Sequence, residues 1–211
     1  MTSTTSVSSG PGRPKDVAKH TAILDAAKTL FLRNGYDGCS MDAIAAEAGV
    51  SKLTVYSHFT DKETLFCAAI KSKCDERLPQ LLGEEADLGP LEEQLRSIAR
   101  GFHELINSHE SVQMHRMMIS GGAQASHLSQ MFYDAGPKRV LAQMQSLLSR
   151  AAKTGELRIE NPSLAADHFF CLIKGCAYFR LLIGCEQPLE GQAAEQHINE
   201  TVEFFLRAYR A

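Results

Sequence analysis

Apolar residues recur along this chain at intervals of three and four, and almost nowhere in the alternating pattern of a half-buried strand. That periodicity predicts an all-α protein. In AKHTAILDAAKTLFLRNGYDG, Ile23, Ala27, Leu30 and Phe31 share one helical face. Arg33-Asn34 followed by Gly35 then supplies a cation in the last turn and a glycine able to take positive φ. Ser40 stands where it can cap a short helix carrying Met41, Ile44, Ala45 and Ala48, which Gly49 ends. Ser51 can cap another almost at once, with Val50 and Val55 placed as a hydrophobic staple. Two short helices across a glycine-containing turn make a helix-turn-helix. Thr60 and Glu63 read as a capping box that opens a fourth helix. Residues 78–90, rich in Gly, Pro and acids, read as a linker. Further helices are expected over 91–107, 110–120, 124–153 (kinked at Gly136-Pro137), 162–184 and 190–209.

Bulk properties exclude little. The chain is 44% hydrophobic and 22% charged, as soluble globular proteins are. Its net charge is -3. Between Arg13 and Glu63, positives at 13, 15, 19, 28, 33, 52 and 62 meet negatives at 16, 25, 37, 42, 47, 61 and 63, so seven cancel seven. Any nucleic-acid surface must therefore come from placement of groups and not from bulk charge. The opening MTSTTSVSSG lacks the apolar stretch of a signal peptide and reads as a disordered tail. The most apolar window, His168 to Cys185, is interrupted by Lys174 and Arg180 and is too short for a membrane span. Six cysteines without a CxxC or metal-type spacing are expected as reduced thiols in a cytoplasm, most of them small core hydrophobes. A redox-sensing pair is the sharper alternative.

The stretch VSKLTVYSHFTDKETLF concentrates the polar chemistry. At about 100° per residue, Val55 and Phe59 point together toward a core, Leu53 and Ser57 point away, and Thr54 and Tyr56 flank them. Hydroxyls, a phenol and an aliphatic group on one face, with Lys62 in the first turn of the next helix, can hold phosphate oxygens and reach base edges in a major groove. Enzymatic readings fail. No carboxylate or cysteine is placed to activate His58 through this helix, and His58 has Lys62 and no second metal ligand four residues on. No catalytic residue, metal site or cofactor is expected. His58 falls near the buried flank, where capping or packing competes with DNA contact.

These residues resemble a known family. F-x-x-x-G-Y (Phe31, Gly35, Tyr36), then S-M-D-A-I-A-x-x-A-G-V-S (Ser40 to Ser51), then T-V-Y-x-H-F-x-x-K-E-x-L (Thr54 to Leu65) are similar to the DNA-binding domain of the TetR family of bacterial transcriptional regulators. The run AGPKRVLAQM, Ala135 to Met144, is similar to its AefR-like subgroup. The resemblance implies an N-terminal three-helix reader on a larger C-terminal helical ligand-binding and dimerisation domain. The boundaries expected are a basic-ended disordered tail over 1–15, the helix-turn-helix domain over 16–60, and the second domain over 61–211 with a connecting helix at 61–78. It implies phosphate contacts for Ser40, Tyr56, His58 and Lys62, and base-edge or groove contacts for Lys52, Leu53 and Thr54. Gly12 to Lys15, GRPK, resembles basic arms that enter a minor groove.

In ADHFFCLIKGCAYFRLLIG apolar residues cover nearly the whole helix circumference, which calls for burial on several sides. Phe170, Ile173 and Ala177 there, with Val202, Phe205 and Tyr209 of the last helix, are the expected homodimer seam. Phe102, Met114, Met118, Phe132 and Met144 of the middle helices are candidates to line an effector pocket, although a methionine stripe also suits plain core. The expected function is a repressor released from a palindromic operator by a small, largely apolar effector. The alternative is a DNA-binding regulator switched by thiol oxidation.

Overall fold

The computed structural model describes residues 13–82 and 89–210. Of the tail expected over 1–15, residues 1–12, with Gly12 of the basic arm, lie outside the described residues; Arg13, Pro14 and Lys15 open the first helix instead of ending a tail. Helices follow in the order α1 (Arg13–Asn34), α2 (Met41–Glu47), α3 (Lys52–His58), α4 (Lys62–Arg77), α5 (Pro79–Leu82), α6 (Leu91–Asn107), α7 (His109–Gly121), α8 (Ser126–Ala135), α9 (Pro137–Lys153), α10 (Pro162–Leu182) and α11 (Gly191–Tyr209). No strand occurs among the described residues, and a single antiparallel bridge ties Leu157 to Arg210. The protein is all-α.

Two compact units divide between Ala69 and Ile70, inside α4 and not ahead of it as expected. The first half of α4 belongs to the first unit because Phe66 packs edge-on against both Phe31 and Tyr36, at 5.3 Å each. Ile23, Ala27 and Phe31 from α1, Ile44 and Ala45 from α2, Val55 and Phe59 around α3, and Leu65 are all buried. Helices of seven residues have no stability of their own, so this shared apolar centre is what keeps α2 and α3 folded.

The second unit packs α6, α9, α10 and α11 around Leu95, Ile98, Met144, Leu148, Phe169 and Phe205, all buried. The stretch expected as one kinked helix is two. Gly136 leaves helical geometry at φ -120 and ψ -83, and Pro137 restarts the chain as the first residue of α9, where its missing N–H costs nothing. α10 is broken internally at Gly175, whose φ of 52 and ψ of -171 lie in a region that L side chains avoid. The break frees the Ile173 carbonyl from the helical ladder, and the ring Nε2 of His197 meets it at 2.8 Å.

Burial depresses the proton affinity of two imidazoles in this unit. It holds His115 below the ordinary histidine value, and it lowers His103, whose neighbour His197 adds to the effect. A lowered folded-state pKa means that the unfolded chain takes the proton more readily. Stability should therefore fall as pH drops below about 6.5, the unfolded value. The melting temperature is expected to decline between about pH 7 and pH 5, and a His103→Gln/His115→Gln double variant should show a flatter profile by calorimetry.

Candidate nucleic-acid interface

Each short helix is started by its own serine. Ser40 Oγ accepts the Ala43 amide at 3.1 Å, and Ser51 Oγ accepts the Thr54 amide at 3.1 Å. Between them the chain reverses at Gly49, φ 65. The Gly49 amide donates to the Ala46 carbonyl at 3.2 Å and the Val50 amide to the Ala45 carbonyl at 3.0 Å, the paired bonds of a Schellman turn. Only glycine enters that conformation without strain, so the angle between α2 and α3 is set by this residue.

α3 presents the face that its sequence predicts. Val55 is fully buried and Phe59 nearly so, while Leu53 is 80% and Tyr56 42% exposed. Ser57 and Lys52 are exposed beside them. Thr54 is half-buried, with its hydroxyl 2.9 Å from Ser51 Oγ, and the Ser57 hydroxyl donates to the Thr54 carbonyl at 2.7 Å. Lys52 does not stand free: its Nζ lies 2.9 Å from Asp42 Oδ2, a tie between α3 and α2. That partner was not read from the sequence, since ten positions separate the two residues and nothing local pairs them.

Two expected phosphate contacts are differently employed. His58 has its Nε2 3.2 Å from Asp16 Oδ1, its side chain only 12% exposed, and its ring 5.7 Å from that of His20. It takes the packing role on the buried flank and joins α3 to α1. Lys62 donates to the carbonyls of Tyr36 at 2.9 Å and Cys39 at 3.1 Å, with its ammonium 4.2 Å from the centre of the Tyr36 ring. It clasps the turn between α1 and α2. The start of α4 is occupied as well. The cap is Asp61, not Thr60: Asp61 Oδ1 accepts the Thr64 amide at 2.7 Å, and this bond holds its carboxyl below the usual range. A carboxylate already answers the exposed amides and dipole that would have drawn a phosphate there.

In the second unit the expected seam is corrected. Phe170, Ile173, Val202 and Phe205 are buried in the unit's own core and leave no surface for a second copy. Ala177 and Tyr209 are half-buried; Tyr209 packs on Phe205 at 4.7 Å and its hydroxyl meets His168 Nδ1 at 2.7 Å. The apolar side chains that do face outward on α10 and α11 are Leu164, Phe179 and Phe204, with Ile183 just beyond α10. Of the pocket candidates, Phe102, Met114 and Met144 are core residues, with Phe102 4.4 Å from Phe170. Met118 and Phe132 are half-buried near polar groups, the Met118 sulfur accepting from Ser129 and Phe132 lying edge-on to His115. The alternative of a thiol switch asks for two cysteines within bonding range or one depressed thiol; burial raises Cys39 and pushes Cys74 up to about 11, and Cys171, Cys176 and Cys185 are exposed free thiols.

A serine-capped helix set across a Schellman turn from its predecessor, with an exposed mixed face, is a helix-turn-helix DNA-binding module. Residues 23–69 match the model for the bacterial regulatory proteins of the tetR family, and residues 93–211 match the C-terminal domain of AefR-like transcriptional repressors. The chain belongs to the TetR family of DNA-binding transcriptional regulators. It is 31% identical over 175 residues to the uncharacterized regulator YdeS of Bacillus subtilis, covering 82% of each chain. A TetR-family regulator of Mesorhizobium loti is similar in structure, with a TM-score of 0.72, 30% identity, and coverage of 94% of this chain and 100% of that one. The flavonoid-responsive regulator FrrA follows, with a TM-score of 0.69, 32% identity, and coverage of 91% and 97%. No helix among the described residues is long and apolar enough to cross a membrane.

These contacts make Lys62 a structural residue. Lys62→Ala should lower stability by about 1.5–3 kcal/mol, because it orphans two carbonyls that accept from a charged donor, whereas Tyr56→Phe on the exposed face should stay within about 0.5 kcal/mol of wild type. Urea denaturation of both variants measures this. Equal stability of Lys62→Ala and wild type would refute the role given to Lys62.

Proposed function

We propose that this chain is a homodimeric repressor that leaves a palindromic operator when a small effector enters its second unit. The single observation that carries the DNA half is the outward face of α3, where Leu53 and Tyr56 stand exposed on a helix held by its cap and by the buried Val55 and Phe59. Leu53, Lys52 and Thr54 are the groups to reach base edges; Tyr56 and the Ser40 hydroxyl are those to hold phosphates. Lys52 exchanges Asp42 for DNA on binding.

The second copy is argued from the outward residues of α10 and α11. Phe179, Ile183 and Phe204 are each more than half exposed, and apolar side chains of that size are costly to leave in water. A helix-turn-helix also needs two half-sites, because one short helix holds few phosphates. The similar regulator FrrA is named as flavonoid-responsive, which favours an effector with aromatic character here too. Release needs little energy: a tenfold loss of operator affinity requires about 1.4 kcal/mol of coupling, and operator must weaken effector equally. Catalysis forms no part of this reading.

Selection of duplexes from a random pool by the full chain should return a palindrome. Binding to it should weaken with salt at a slope near −0.9 per phosphate contacted. Phe204→Asp is expected to give monomers by sedimentation and to cost at least tenfold in operator affinity, with helical content retained, whereas Phe205→Asp should unfold the second unit. A pool that fails to enrich, or a wild-type monomer at micromolar concentration, sinks the reading.

A further inference from the structure

Beside the break in α10 lies a hollow whose walls include His103, Asn107, Lys174, Tyr178 and His197, together with Gln187 to Leu189 of the link between α10 and α11. Three features set it apart from the surrounding apolar core. Tyr178 is 8% exposed, yet its hydroxyl has no hydrogen-bond partner among the described protein groups. A buried hydroxyl left unsatisfied costs about 1–3 kcal/mol, and such a cost is rarely tolerated without a use. Burial also pushes this phenol up to about 12, so it remains a donor at any physiological pH. Lys174, four residues earlier on the same helix, brings its ammonium within 5.8 Å of the Phe102 ring. None of the residues that line the hollow is acidic. Of the carboxylates around it, Glu104 and Glu195, which act on His103, are held by Arg77 at 3.3 Å and Arg100 at 2.7 Å, and Glu186 is held by Arg180 at 2.6 Å.

Gly175 is what assembles the group. Its left-handed φ rotates the rest of α10 relative to the first half and turns the Ile173 carbonyl to His197. The His197 Nε2 is thereby engaged, and the Tyr178 hydroxyl and the Lys174 ammonium are the neutral donor and the cation left to meet a guest, beside the His103 ring and the Gln187 amide. One neutral donor and one cation, without an acid to neutralise them, suit an oxyanion.

We propose that this hollow is a carboxylate subsite, in which Tyr178 and Lys174 take the oxygens of a small organic acid. The inference rests on the reading of the second unit as effector-binding and names the chemistry that unit selects. The enclosed space is about 10 Å³, room for one water molecule. A carboxylate is larger than that, so one of its oxygens takes that place and the rest of the acid displaces the 187–189 segment.

The test uses the full-length protein with acetate, benzoate and 4-hydroxybenzoate against benzyl alcohol and benzamide, by titration calorimetry and melting. At least one acid should bind tenfold or more tightly than the uncharged compounds. Tyr178→Phe and Lys174→Met should each weaken it about tenfold, and Tyr178→Phe without ligand should melt no lower than wild type, because the hydroxyl has no bond to lose. Acids that bind no better than benzyl alcohol, or variants that bind as wild type does, overturn the subsite. Operator release is scored in parallel. If another compound releases operator while the acids fail, only this inference falls; if nothing releases it, the effector reading falls too.

Discussion

A seven-residue helix cannot hold itself together in water, and the reading surface of this protein is one such helix. Its persistence depends on Val55 and Phe59 being taken up by a core to which α1, α2 and the start of α4 contribute, and on Ser51 closing its first turn. Everything that α3 offers to solvent is therefore only as ordered as that small core. The arrangement explains why so much polar chemistry nearby is directed inward. Lys62, Asp61 and His58 each satisfy backbone or side-chain groups that fix the positions of neighbouring helices.

The charge arithmetic of the first unit follows the same logic. Seven cations against seven acids leave no net charge, and the pairs seen show where two of the cations go: Lys52 to Asp42 and Lys28 to Asp25. Electrostatic steering over long distances is weak for such a surface, and recognition has to be made at contact, by shape and by the few donors on α2 and α3.

Much of this was legible in the residues, for reasons that can be named. Periodicity placed Val55 and Phe59 inward and Leu53 outward, because a local pattern on one helix needs no knowledge of its neighbours. The two serine caps and Gly49 were legible for the same reason. What was not legible was long-range. A wheel cannot say that Lys62 meets the carbonyls of Tyr36 and Cys39, more than twenty positions earlier. It also cannot choose a face on α10, where apolar residues run all round: Phe170 and Ile173 turned out to be core, and Phe179 and Ile183, in the same run, were exposed. The cap at Asp61 in place of Thr60 was a choice between adjacent candidates that pattern alone leaves equal.

The break at Gly175 makes α10 two rods joined at one residue. Beyond it, Tyr178 and Phe179 are consecutive, the first buried against the unit's interior and the second 63% exposed on its outer surface. Neighbours on so short a rod cannot be re-aimed separately. A rotation that carries the phenol toward or away from a guest carries the phenyl ring with it, so the inside of the unit and its outer surface share one lever, with a single glycine as the pivot.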